Sequence, residues 1–339
     1  MNTCPRSCTR KASSLRLCLT LLVLLAAAGL ASVGLGATWM SPGEILALLT
    51  GASADKGGLS ILLFVRLPRY CASLLAGSAL AVSGAVIQAV LGTPLAAPNI
   101  IGVNAGAGLL VAAGCALFPS AAWLNPALAF LGAFLGVALV LGISRRAGAS
   151  RMSLVLAGVA ISSVFAAGID AIVTLAPDAL AGYSDFRIGG FAGVTMERLF
   201  PAAAIIVPCI LAVLALGREL EVLTLGAETA QSLGLPVRRI RAVLLVLAAA
   251  LAGAAVSFCG LLGFVGLIVP HMARRLAGES GPGMLCASAL GGALLLSLCD
   301  LIARTIAAPY VLPVGVVMSF VGGPVFIWPR FRQKGGRRG

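Results

Sequence analysis

Charge is scarce in this sequence. Of its 339 residues only 10% are Asp, Glu, Lys or Arg, where a soluble domain carries about 25%. Acids are the scarcer sign, 11 against 24 Lys and Arg. In their place 60% of the residues are hydrophobic, and a soluble fold of this length cannot hide that much apolar surface. A soluble enzyme, a disordered chain and a small disulfide scaffold are therefore excluded. Histidine occurs once, at His271, and the nine cysteines include no C-x-x-C pair, so the spacing of a metal site or a disulfide framework is missing. With three Trp and three Tyr, no aromatic cage is visible. No G-x-x-x-x-G-K-[ST] loop occurs, so the chain lacks the backbone cradle that would hold ATP phosphates itself.

What is present is apolar length. Leu17–Gly43, Tyr70–Ser144, Met152–Ile169, Leu199–Gly217, Ala242–Ala273, Ser280–Cys299 and Thr305–Pro329 are all free of charge. A spanning helix needs about 20 apolar residues, so the 75 residues of Tyr70–Ser144 hold about three. Gly92-Thr93-Pro94 and Pro119 to Pro126 mark its breaks. Ala242–Ala273 is too long for one span and too short for two. Gly260, Gly263, Gly266 and Pro270 divide it into a full helix and a short one. Ten spans follow, near 17–36, 66–91, 98–118, 121–143, 152–174, 197–216, 240–260, 263–277, 283–303 and 312–329. The 42 glycines suit helices whose backbones pack closely in lipid. The expected fold class is an all-α polytopic membrane protein, one transmembrane domain over residues 1–339. The basic N-terminus precedes an apolar run longer than a signal-peptide core, and reads as an uncleaved first span.

Loop charge orients the spans. With the N-terminus cytoplasmic, 18 of the 24 basic residues fall inside, including Arg145, Arg146, Arg151, Arg238, Arg239 and Arg241. That asymmetry follows the positive-inside rule, and an even span count places both termini in the cytoplasm. Short clusters between uncharged runs also exclude a nucleic-acid groove. Ser83-Gly84, Gly92 and Pro98 echo Ser257, Gly260, Gly266 and Pro270. This is either an inverted repeat or chance similarity between Ala/Gly-rich helices.

Ten-span helical proteins are most often transporters, and two energy sources compete. Gradient-driven carriers keep ionisable groups near mid-membrane, whereas here Asp170 and Asp300 lie toward outer span ends. The force then comes from another subunit. The inner loop 217–241 is the candidate contact, against the alternative of a plain solvated connector, which composition alone favours. The loop is charged, yet Val222, Leu223, Leu225, Ala230 and Leu233 give it an apolar component, and Gly226, Gly234 and Pro236 bound a short helix. A membrane-bound enzyme ranks third, because no nucleophile–base or metal constellation appears.

An ordered set of motifs carries a resemblance. Arg66-Leu67-Pro68-Arg69, Leu75 to Gly84, Gln88 and Thr93 to Pro98 open it. Leu225-Gly226, Ala230 and Leu233 to Pro236 follow, then Gly263 to His271, Pro313 to Val317 and Gly322 to Phe326. Together these resemble the FecCD family, the permeases of binding-protein-dependent ABC importers for iron–siderophore, haem and cobalamin. The resemblance implies the type II importer architecture: ten-helix subunits paired as a homodimer or with a paralogue, two ABC ATPase subunits inside that bind ATP and Mg, and an extracytoplasmic substrate-binding protein outside. It places the chain in the bacterial cytoplasmic (inner) membrane as a transport subunit with no catalytic residues, metal or cofactor of its own. It further implies that Leu225, Gly226, Ala230, Leu233, Gly234 and Pro236 seat on the ATPase. Thr93, Pro94 and Leu95 would lie at the cytoplasmic gate, where family members usually carry Asn at the position of Thr93. Arg66, Arg69 and Arg304 would dock glutamates of the binding protein, using the bidentate geometry that Arg offers carboxylates. Local alternatives for them are an i,i+4 pair of Arg304 with Asp300 and interfacial snorkelling of the other two. Cargo is not encoded; iron–siderophore leads on family frequency alone.

Overall fold

A chain with long charge-free runs can satisfy its backbone in lipid only by helices or a closed barrel, and Ala, Leu and Gly in place of alternating polar residues select helices. The computed structural model describes residues 6–34, 43, 56–146, 151–278, 281–307 and 310–335. Among them every regular element is helical. α1 (Arg6–Gly34) is followed by α2 (Lys56–Ile61), a π-helical turn over Leu62–Arg66 and α3 (Leu67–Leu91). A 3-10 turn at Pro98–Ile101 leads into α4 (Val103–Leu117), then α5 (Asn125–Arg146), α6 (Arg151–Leu175) and the short α7 (Ala179–Ile188). α8 (Met196–Ala215) precedes two short helices, α9 (Gly217–Thr224) and α10 (Ala227–Ser232). The chain closes with α11 (Val237–Cys259), α12 (Val265–Ala277), α13 (Pro282–Thr305) and α14 (Val314–Gly335).

Each of the ten expected spans contains a helix. Seven are long and apolar enough to cross a membrane, and Val103–Leu117 and Val314–Pro324 are shorter apolar helices. α12, at 13 residues, is the short partner expected after Gly260. The long charge-free window breaks where Gly and Pro predict. Gly92 takes the left-handed conformation (φ 66°) that ends α3, and α4 gives way to α5 between Phe118 and Leu124.

α3 and α11 form the centre. Their spanning windows are 83% and 72% buried, against 17% for α1, 28% for α6 and 22% for α8. The central position follows from small side chains. On α3 the residues Ala72, Ala76, Ala79, Ala81, Ala85 and Ala89 are all buried. A Cβ on Gly77 would overlap the Gly292 carbonyl of α13, and one on Gly84 the Gly266 carbonyl of α12. Without a hydrophobic force between helices in lipid, this backbone-to-backbone approach is what van der Waals attraction needs. Ser83 Oγ donates to the Ala248 carbonyl of α11 at 2.7 Å, and the Ser73 and Ser297 hydroxyls lie 3.0 Å apart between α3 and α13. α6 and α8 instead present large apolar side chains outward, among them Leu156, Val164, Phe200 and Leu211.

Candidate functional site

Polar structure gathers at the two ends of α3. Arg69 opens the helix and Gln88 lies near its close; nineteen residues at 1.5 Å each separate them by about 28 Å, close to the roughly 30 Å hydrocarbon thickness of a bilayer.

At the Gln88 end, the expected gate and contact residues share one cavity. It measures about 1010 Å³ and is lined by Thr93, Pro94, Glu221, Leu225, His271, Arg274 and Arg275, among others. Gln88 holds its wall together. Its amide nitrogen donates to the Gly266 and Leu267 carbonyls, both at 3.2 Å, and its Oε1 accepts from Arg274 Nη1 at 2.8 Å. Those carbonyls lie in the first turn of α12, where the helix begins after Phe264 in a left-handed conformation (φ 66°). Arg274 also reaches the Ala85 carbonyl at 3.4 Å, so α3 and the last turn of α12 are tied by one guanidinium. Thr93 is half-buried while Pro94 and Leu95 are exposed. The short helix expected between Gly226 and Gly234 is α10, and a second short helix, α9, precedes it. Gly226 (φ 111°) makes the joint between α9 and α10, and Gly234 (φ 83°) lets the chain turn toward Pro236. Leu220, Leu223 and Ala230 face inward, while Leu225 and Leu233 are 61% and 64% exposed. The apolar content of the loop is thus split between a packed face and two presented leucines.

At the other end of α3, the three arginines cluster. Arg69 Nε donates to Asp300 Oδ1 at 2.8 Å, and Arg304 Nε lies 3.1 Å from Asp300 Oδ2, the i,i+4 pair foreseen for it. Arg304 Nη2 also donates to the Ser32 hydroxyl at 2.6 Å and carbonyl at 3.2 Å. Arg66 Nη1 donates to the Val33 carbonyl, and to that of Gly34 at 3.3 Å. All three arginines are buried, at 4%, 8% and 8% exposure for Arg66, Arg69 and Arg304. Snorkelling does not describe them. Two consequences were not legible in the sequence. Ser32 and the end of α1 complete the cluster, and Gln88 with Arg274 forms the clamp behind the cavity. The one available signal for the clamp was an Arg one turn beyond His271 at the end of an otherwise apolar helix.

Comparison with known proteins decides the family. Residues 23–332 match the FecCD transport family. The chain belongs to the FecCD transport family. The Fe(3+)-citrate import system permease protein YfmE of Bacillus subtilis is 35% identical, covering 91% of this FecCD chain and 93% of its own length. The hemin transport system permease protein HmuU of Yersinia pestis is 36% identical, covering 94% and 96%. A solved structure described as an inward-facing metal-chelate type ABC transporter superposes with a TM-score of 0.85 at 26% identity, over 94% of the FecCD chain and 99% of that one. The chain is thus a multi-pass membrane permease of that family, with the type II importer fold, and its all-α architecture agrees with its sequence.

Proposed function

We propose that this FecCD chain is the permease subunit of an ATP-driven importer that moves an iron–siderophore, haem or cobalamin-type complex into the cytoplasm. The single observation that carries the reading is the loop 217–236. It packs Leu220, Leu223 and Ala230 into the bundle, holds Leu225 and Leu233 out to solvent, and lies against the cavity at Thr93 and Pro94. Such a loop offers an external ATPase something to grip and a rigid connection to the helices that it must move. ATP and Mg belong to two such ATPase subunits, and a second permease copy or a paralogue completes the path. α6 and α8, with their outward apolar faces, supply surface for lipid or for that second copy.

In this reading the Gln88 end is cytoplasmic, both termini lie inside, and Thr93, Pro94 and Leu95 stand at the inner gate. Arg66, Arg69 and Arg304 mark the outer end, where an extracytoplasmic binding protein docks. The arginines meet that role as a prearranged set. Asp300 and the carbonyls ending α1 hold the guanidiniums in place, so that few side chains have to be ordered when a carboxylate arrives. The relatives named for iron citrate and hemin support the cargo class.

Mild-detergent purification of the tagged chain from its native membrane, followed by mass spectrometry, tests this function. A stoichiometric P-loop ATPase is expected. A clean preparation with none, together with gradient-driven uptake in vesicles, would establish a secondary carrier instead.

A further inference from the structure

A second cleft opens at the loop end of the bundle, away from the Thr93 cavity. It has a volume of about 580 Å³ and lies among the end of α5, the first turns of α6 and α11, and the segment after α10. Arg145, Arg238, Arg239 and Arg241 line it, with Ser144 and Gln231 as further polar groups, and among the described residues no carboxylate does. Arg145, Arg238 and Arg239 are exposed here, and like charges gathered in one concavity attract an anion among them. Directly beneath, a narrower apolar groove of about 220 Å³ runs between α5 and α11 past Phe134, Val137, Ala138 and Val246. Leu141 and Arg145 line both, so the cleft and the groove are continuous.

The shape of that continuous site identifies its ligand. Residues 134, 137, 138, 141 and 145 share one face of α5. From Arg145 to Phe134 the groove descends eleven residues, about 16 Å, which is half of the roughly 30 Å hydrocarbon core. A basic mouth at the membrane surface, leading into an apolar channel one leaflet deep, fits a phosphodiester headgroup with an acyl chain attached. A free phosphate anion would use the arginines and leave the groove idle. We propose that this cleft and groove form a binding site for an anionic phospholipid, its phosphate held by Arg145, Arg238 and Arg239 and one acyl chain laid between α5 and α11. The site joins the last turn of α5 to the segment that leaves α10, and so makes the setting of the contact loop sensitive to the charge of the surrounding lipid. The inference does not depend on ATP-driven transport.

The test uses the purified full chain in non-ionic detergent, titrated with dioleoyl-phosphatidylglycerol, dioleoyl-phosphatidylcholine or glycerol 1-phosphate, with bound ligand read by native mass spectrometry. Phosphatidylglycerol is expected to stay bound where the other two do not. R238Q/R239Q, at two exposed positions, should weaken phosphatidylglycerol about 25-fold, each arginine near a membrane surface contributing roughly fivefold. R238K/R239K should retain most of the binding. A138W, also at an exposed position, should block the groove and lose the lipid with all four arginines intact. Three results overturn the proposal: equal retention of both phospholipids, unchanged phosphatidylglycerol binding in R238Q/R239Q, or glycerol 1-phosphate binding as well as the lipid with A138W inert. The last assigns the arginines to a free phosphate group.

Discussion

Arg69 on α3 and Asp300 on α13 meet at 2.8 Å across 231 positions of sequence, and Asp300 is shared with Arg304 one turn further along its own helix. The Asp300 side chain is 2% exposed. A carboxylate so buried is sustained only by the two guanidiniums facing it, and the guanidiniums equally depend on it. Arg304 extends the relationship to Ser32, so one acid fixes three helices at the end of the bundle opposite the contact loop.

Replacing that acid should therefore be costly. Asp300→Asn leaves two arginines buried against each other, and removing one member of a buried ionic set typically costs about 3–5 kcal/mol. The purified variant is expected to melt well below the parent, and an all-apolar R69M/D300L/R304M replacement to recover much of the loss. An unchanged melting temperature for Asp300→Asn would show that the cluster carries no structural load.

Docking of a binding protein is better probed at Arg66 than at its neighbours, because Arg69 and Arg304 both answer to Asp300. Arg66→Gln should weaken capture of the binding protein about tenfold or more, the scale of one charge-assisted hydrogen bond, while ATPase co-purification stays normal. The paired reversal Arg66→Glu with Arg69→Glu should weaken it further. Full capture by Arg66→Gln would remove docking from this residue. Joint loss of capture, ATPase and thermal stability would make its role structural.

The loop separates contact from packing. Leu225→Glu and Leu233→Glu change exposed side chains, so the chain should keep its melting temperature yet lose ATPase co-purification and at least about tenfold in uptake, as loss of an interface anchor worth about 2 kcal/mol implies. Ala230 is fully buried, and Ala230→Leu should act instead by unseating α10, seen as faster proteolysis of the loop. ATPase capture unaffected by either leucine change would contradict the assignment of this loop.

Close helix approach makes a packing prediction. A side chain at Gly84 meets the Gly266 backbone, whereas a Cβ on Gly323 would meet nothing within 4 Å among the described residues. Gly84→Val should cost about 3 kcal/mol or more through overpacking, and Gly323→Ala less than about 0.5 kcal/mol, both measured by thermal melting. Equal tolerance at the two sites would mean that α3 and α12 are not in backbone contact.

Much of this architecture was legible in the sequence. A helix lies in each of the ten expected spans, seven of them long and apolar enough to cross a membrane, because charge-free length and Gly/Pro punctuation are local signals. The division of Ala242–Ala273 followed from the glycines around Gly263, and α11 does end at Cys259 with α12 starting at Val265. Composition marked the loop 217–241 as charged with an apolar component, and the short helix bounded by Gly226 and Gly234 is α10. The preceding α9 was not legible, since the joint between the two depends on the left-handed geometry of Gly226. Side-chain partnerships across the bundle were the least legible part. The i,i+4 pair of Asp300 and Arg304 is local and was visible, whereas Arg69 to Asp300, Ser32 to Arg304 and Gln88 to Arg274 depend on how distant helices come together. The same holds for the arginine cleft, whose four charges come from α5 and α11 and mean little until those helices are neighbours.

The central claim is that external ATP hydrolysis drives movement through this permease. The direct measurement is uptake of a radiolabelled iron chelate into proteoliposomes holding the chain with its co-purified ATPase, ATP–Mg inside and binding protein outside. The account predicts uptake that requires ATP and the binding protein and continues when a protonophore and a sodium ionophore collapse the gradients. Uptake that persists without ATP and stops with the gradients would contradict it.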